Sequence, residues 1–179
     1  GRYILNNTIF ISLASYCDDM LEFTLKSAFN SAKNKENIFF GVVDQNHVNS
    51  RDTIKSLEFS NQIRYCHIFP DDSLGVSWAR HLCFSLYNNE KYFLQVDSHT
   101  YFEENWDENL IIQYKTLLGK SSKPIISTYP YGFSIEENNE ITFKKPSGKT
   151  VLLLRPKKEL KIDKENLVLQ FRAKHITSS

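Results

Sequence analysis

Over the first two-thirds of the chain, hydrophobic and polar positions switch between two rhythms. Residues 8–15 (TIFISLAS), 38–44 (IFFGVVD), 63–69 (IRYCHIF), 92–97 (YFLQVD) and 124–129 (PIISTY) are short apolar runs rich in β-branched and aromatic side chains. Such runs predict strands. Between them, residues 18–33 set Leu21, Leu25, Ala28, Phe29 and Ala32 on one helical face, and residues 76–87 do the same with Val76, Ala79, Cys83 and Leu86. Residues 106–118 align Leu110, Tyr114, Leu117 and Leu118, and residues 50–60 read as a further helix. Asp19 and Glu22 have the spacing of a capping box at the start of the first helix. Pro70 and the acidic turn after it end the third strand.

This alternation predicts an α/β fold: a Rossmann-like, mainly parallel sheet with helices on both faces. The nearly continuous apolar runs suit strands covered on both sides. After about Tyr131 the rhythm changes. Residues 136–140 (EENNE) and 146–149 (PSGK) read as turns between short strands at 141–145 (ITFKK) and 150–156 (TVLLLRP). A charged stretch at 157–166 leads to a last strand-like run at 167–176. We read residues 1–179 as one domain, an α/β core at 8–130 followed by a short antiparallel C-terminal extension at 131–179. The opening Gly in place of Met leads us to expect a chain cut from something longer.

Composition narrows the class of partner. With 41% hydrophobic and 24% charged residues the chain reads as an ordinary globular protein, and 13 Phe and 9 Tyr supply bulk for a core. The net charge of +1 is spread along the chain, without the concentrated basic patch that a nucleic-acid partner requires. Cys17, Cys66 and Cys83 show no CxxC spacing and leave one thiol over in any pairing, which points to a reducing, cytoplasmic setting. Cys66 and Cys83 stand in apolar runs, where cysteine acts as a small buried hydrophobe. No apolar run approaches the ~20 residues of a membrane span, and no signal-peptide pattern is present.

In parallel sheets of this kind, ligands bind beyond the carboxyl ends of the strands. Ser15, Asp44 and Asp97 stand at those ends. Asp97 and His99, two residues apart where a strand gives way to a loop, can offer an oxygen and an imidazole nitrogen to one cation. That pair suits manganese, or magnesium, better than calcium. The same Asp is equally suited to capping a turn. Asp44 and Gln45 can accept or donate at a base edge, or simply start a loop. Ser12 and Ser15 can line a base or ribose, with Tyr16 as a stacking surface or a partly buried loop aromatic. Arg80 lies outside the apolar face of its helix and can reach a diphosphate near the helix N-terminus, or remain solvated. Trp78 reads as core or pocket wall. His47, His67, His81 and His175 have no partner at ligand spacing. No nucleophile elbow, Walker loop or GxGxxG occurs, and no catalytic base or nucleophile is assigned.

Taken together, IFISLASY, NIFFGVVDQ, SWAR, YFLQVDSH with the following TYFEENWD, and KPIISTYP resemble, in order and spacing, one family. It is the family of cytosolic N-acetylglucosaminyltransferases that modify hydroxyproline on a ubiquitin-ligase subunit, with their bacterial relatives. The resemblance runs from about Thr8 to Pro130. It implies a GT-A fold, UDP-N-acetylglucosamine as donor, a divalent metal, a protein or glycan acceptor, and retention of anomeric configuration. By position, Asp97 and His99 match the family's Asp-x-His metal motif, Ser15 and Tyr16 its Ser-Tyr, Asp44 and Gln45 its Asp-Gln, and Arg80 the Arg of its SWAR. Two departures stand out. Cys17 occupies the place of a basic residue before Asp18, and the chain stops before any match to the C-terminal acceptor portion.

Two functions follow. The first is a metal-dependent glycosyltransferase domain, with binding and electrostatics supplying most of the catalysis. The alternative is a non-catalytic nucleotide-sugar-binding or scaffolding module of the same fold, which Cys17 and the short length favour. A metal-dependent hydrolase or receiver-like domain explains the alternation but not the grouped motifs.

Overall fold

A computed structural model describes residues 7–144 in full and the backbone of 150–156 and 171–177. Four strands, β1 (Ile9–Tyr16), β2 (Ile38–Gln45), β3 (Ile63–Ile68) and β4 (Tyr92–Asp97), form one sheet in the order β3-β2-β1-β4, with every neighbouring pair parallel. The helices between and after them are α1 (Leu21–Ser31), α2 (Arg51–Lys55), α3 (Val76–Ser85) and α4 (Trp106–Leu118).

The chain steps outward from β1 to β2 to β3, then crosses back to lay β4 on the other side of β1. Right-handed crossovers in opposite directions put their helices on opposite faces of the sheet. Accordingly Ile9, Ile11, Leu13, Ile38, Phe40 and Val42 pack with Leu21, Leu25, Ala28 and Phe29 of α1, Ile54 of α2, and Trp106 and Ile111 of α4. On the other face, Val43 packs with Ala79 and Cys83 of α3, joined by the partly buried Trp78, Leu82 and Leu86. Cys83 donates to the Leu13 carbonyl at 3.1 Å, and burial pushes its thiol pKa up.

Beyond this sheet, β5 (Phe133–Ile135) and β6 (Ile141–Phe143) form an antiparallel hairpin whose turn holds Asn139 at φ 63°. β7 (Thr150–Pro156) pairs antiparallel with β8 (Phe171–Thr177). Contacts divide the chain into two compact units, 1–122 and 123–179. The PSGK turn and the charged stretch lie outside the described residues.

Three local expectations are corrected. Residues 124–129 form no strand: Pro124 has no N–H to give a ladder, and Ile125 is 89% exposed. The helix expected over 50–60 is a single turn and a half at Arg51–Lys55, followed by a 3₁₀ turn at Ser60–Gln62. The capping box at Asp19 does not form, because α1 starts at Leu21 after Met20, with no side-chain cap on Met20. Instead Asp18 Oδ1 accepts from the Met20 N–H at 2.9 Å, and Glu22 pairs with Lys26 one turn on.

Candidate functional site at the carboxyl edge of the sheet

The reversal of strand order between β1 and β4 opens the crevice in which doubly wound sheets take their ligands. Residues following these two strands meet there. Ala14 is in register with Asp97, and on the other side Ser15 is in register with Asp44.

The loop after β4 is fixed by α1. Thr24 Oγ1 donates to the Ser98 carbonyl at 2.6 Å and accepts from the Thr100 N–H at 3.0 Å. Further along, Ser27 Oγ accepts from the Phe102 N–H at 2.9 Å, and the Trp106 indole donates to the Ala28 carbonyl at 2.8 Å. These anchors recur at helical spacing, so one face of α1 serves as a rail for residues 98–106.

Asp97 and His99 stand out from this loop, their side chains 63% and 64% exposed. Asp97 Oδ1 accepts from Arg80 Nη2 at 3.2 Å, so α3 and β4 bring a carboxylate and a guanidinium together at the crevice. His99 Nδ1 lies 2.8 Å from Asp18 Oδ2. Ser98 Oγ donates to the same Asp18 oxygen. Burial works against the Asp18 charge, but the donors Ser98, His99 and the Met20 N–H outweigh it and hold the carboxyl below the usual range. Asp18 had been read as part of a helix start and as the acid that follows Cys17 in the family-like motif, with no site role assigned. Its partners lie 80 and 81 residues away, a separation that no local pattern shows.

Asp44 is buried at the end of β2. Its Oδ2 accepts from the Tyr65 hydroxyl at 2.8 Å, while Oδ1 has no partner among the described residues. The neighbouring Ser15 hydroxyl is likewise buried and unpartnered. A buried polar atom left unpaired is costly, and Ser12 Oγ, farther back in β1, is a third such atom among the described residues. Tyr65, which sequence reasoning had not singled out, is pushed to about pKa 12 by burial and by the Asp44 carboxylate. Tyr16, 59% exposed, closes the edge of β1 with an open aromatic surface.

Two expected site residues are placed differently. Gln45 is buried and engages the protein at both ends, Nε2 donating to the Ser15 carbonyl at 2.9 Å and Oε1 accepting from Ser73 Oγ at 2.6 Å. Ser12 lies within β1, in register with Gly41 and Gln95, and does not reach the edge. Period-two alternation turns it to the α3 layer with Phe10 and Ala14.

Among the described residues no group of three or more His, Cys, Asp or Glu is placed to hold a metal ion. Asp97 and His99 are of the donor types a divalent ion takes, a carboxylate and an imidazole, and each is engaged by its own partner, Arg80 and Asp18. No described helix is long and apolar enough to cross a membrane.

A search of curated proteins returned no match. A family model described as "Glycosyltransferase (GlcNAc)" matches residues 8–59 and 50–177, which takes in every strand of the sheet and the whole crevice. The chain belongs to this GlcNAc glycosyltransferase family.

Proposed function

We propose that this chain binds UDP-N-acetylglucosamine with a divalent metal, manganese or magnesium, and passes the sugar to a hydroxyl of a protein or glycan with retention of configuration. The observation that carries the reading is that Asp97, paired with Arg80, and His99, paired with Asp18, stand two residues apart at the β1/β4 switch point, beside the end of β1 where the Ser15 hydroxyl is unpaired. Family membership supports sugar transfer as the reaction class. The finer reading, a relative of the cytosolic hydroxyproline-modifying enzymes, rests on the motifs quoted above.

Each residue then has a role. Asp97 and His99 hold the ion, whose charge neutralises the departing diphosphate. Arg80 offers a planar pair of donors to the same phosphates. Asp44 Oδ1 accepts an N–H from the base, Ser15 donates beside it, and Tyr16 supplies a face for stacking. Gln45 and Tyr65 keep this edge in shape.

Titration calorimetry with UDP-N-acetylglucosamine and Mn²⁺ tests the reading. Binding is expected in the wild type, weakened about tenfold or more (~1.4 kcal/mol) by Asp97→Asn. No heat in the wild type, or unchanged affinity in the variant, would discard it. Donor binding with no transfer to any hydroxyl acceptor would instead be the behaviour of a scaffolding module.

A further inference from the structure

The residue that sets the chemistry of His99 lies outside the β4 motif. His99 Nδ1 is 2.8 Å from Asp18 Oδ2, which reaches it across the switch point from the loop after β1. Asp18 is itself held by two other groups, the Met20 N–H on Oδ1 at 2.9 Å and the Ser98 hydroxyl on Oδ2. A lone exposed His–Asp pair is worth little, because two mobile side chains must be ordered to make it. Here one partner is already ordered. The backbone under His99 is ordered too, since Thr24 bonds both the Ser98 carbonyl and the Thr100 N–H. What remains for Asp18 to determine is the rotation of the ring and the placement of its proton.

We propose that Asp18 is a positioning residue that holds His99 as the Nδ1–H tautomer and so presents the Nε2 lone pair to the metal. A neutral imidazole has one donor and one acceptor nitrogen, and a carboxylate at Nδ1 demands the donor there. Histidines that bind metals commonly donate their second nitrogen to a carboxylate, which fixes the ring and raises its basicity. The inference rests on the metal-site reading above, yet the tautomer is a property of the metal-free protein.

That separation makes it testable. Nitrogen-15 correlation spectra of the metal-free protein at about pH 8.5, where imidazole is neutral, report which ring nitrogen carries the proton. The His99 signals are identified by their loss in His99→Gln. Expected is Nδ1–H in the wild type, a shift toward Nε2–H in Asp18→Ala, and no change in Ser98→Ala, which removes a neighbour of Asp18 without touching the ring. Asp18→Asn keeps an acceptor for Met20 and serves where the alanine variant does not fold. Its amide can donate to Nδ1 and is expected to move the proton to Nε2. An Nε2–H tautomer in the wild type, or no shift in either Asp18 variant, would overturn the proposal. Electron paramagnetic resonance of added Mn²⁺ reads the consequence: the Asp18 variants should bind about 10–100-fold more weakly than the wild type. Equal affinity would overturn the role in metal binding. Failure of the wild type to bind Mn²⁺, with His99 still held as Nδ1–H, would remove the metal reading and leave the tautomer assignment in place.

Discussion

Asp107 and Asp97 are the same residue used in opposite ways. Asp97 stands exposed at the crevice, whereas Asp107, in the first turn of α4, is buried and spends its charge on the chain leaving α1. Its Oδ1 accepts from the Lys33 N–H at 2.8 Å, and its Oδ2 from the Asn34 N–H at 2.9 Å and the Asn34 side-chain amide at 3.2 Å. Burial opposes the charge, but these donors prevail and hold the carboxyl below its ordinary range. A carboxyl lowered by folding adds stability above its unfolded pKa and loses it as pH falls through the folded value. Asp18 contributes in the same direction. The protein should therefore lose stability on acidification into and below the ordinary carboxylate range. Asp107→Ala leaves the Lys33 and Asn34 N–H groups without their acceptor and should cost about 2–3 kcal/mol at neutral pH. The variant's stability should also depend less on acid pH. Urea unfolding of both proteins between neutral pH and about pH 3 would measure this. An unchanged pH slope would show that Asp107 is not one of the groups responsible.

At the scale of elements, the sheet's two central strands meet through a missing side chain. A Cβ on Gly41 of β2 would stand 2.2 Å from Cζ and 2.8 Å from Cε2 of Phe10 on β1. The ring has little room to retreat. Phe10 is fully buried, with Tyr87 and Phe93 ring centres at 5.6 and 5.5 Å and the Arg64 guanidinium 5.7 Å from its own. Gly41→Ala should thus destabilise by about 1–3 kcal/mol through overpacking. Adding Phe10→Leu should return part of that loss, a coupling that a double-mutant cycle in urea would detect. Additive effects of the two changes would mean that the ring shifts freely. The example also shows what the residue pattern could and could not reveal. The four long strands were legible as apolar runs bounded by turn residues, and α1, α3 and α4 because an apolar face repeats at helical spacing over about three turns. Ser12 lies inside β1 rather than at its end, where alternation turns it to the α3 layer. The short strand β5 carries too few residues for any pattern to register, and α2 was expected at about twice the length it has. Asp18 and Tyr65 escaped because their roles depend on partners brought close only by the fold.

At the scale of the whole molecule, the order β3-β2-β1-β4 turns a list of strand-end residues into a site. The alternation of elements predicted a parallel sheet, and strand ends predicted where polar residues matter, but neither says which two ends are adjacent. Only the reversal beside β1 sets the loop after β1 against the loop after β4, joining Asp18 to Ser98 and His99. Every residue given a role in donor binding, from Ser15 to His99, belongs to the unit 1–122. Both core clusters are drawn from it as well, the last member being Ile111. A chain ending at Ser122 should accordingly fold cooperatively and bind UDP with Mn²⁺ within about threefold of the longer chain, or ~0.65 kcal/mol. Sugar transfer by the longer chain, if it depends on acceptor contacts from residues after 122, should be lost in the shorter one. Calorimetry and a transfer assay on the two chains side by side would separate these outcomes. Loss of UDP binding from a shorter chain that still unfolds cooperatively would place part of the donor site in residues 123–179. Transfer at the full rate by the shorter chain would place the acceptor contacts on the same unit as the crevice.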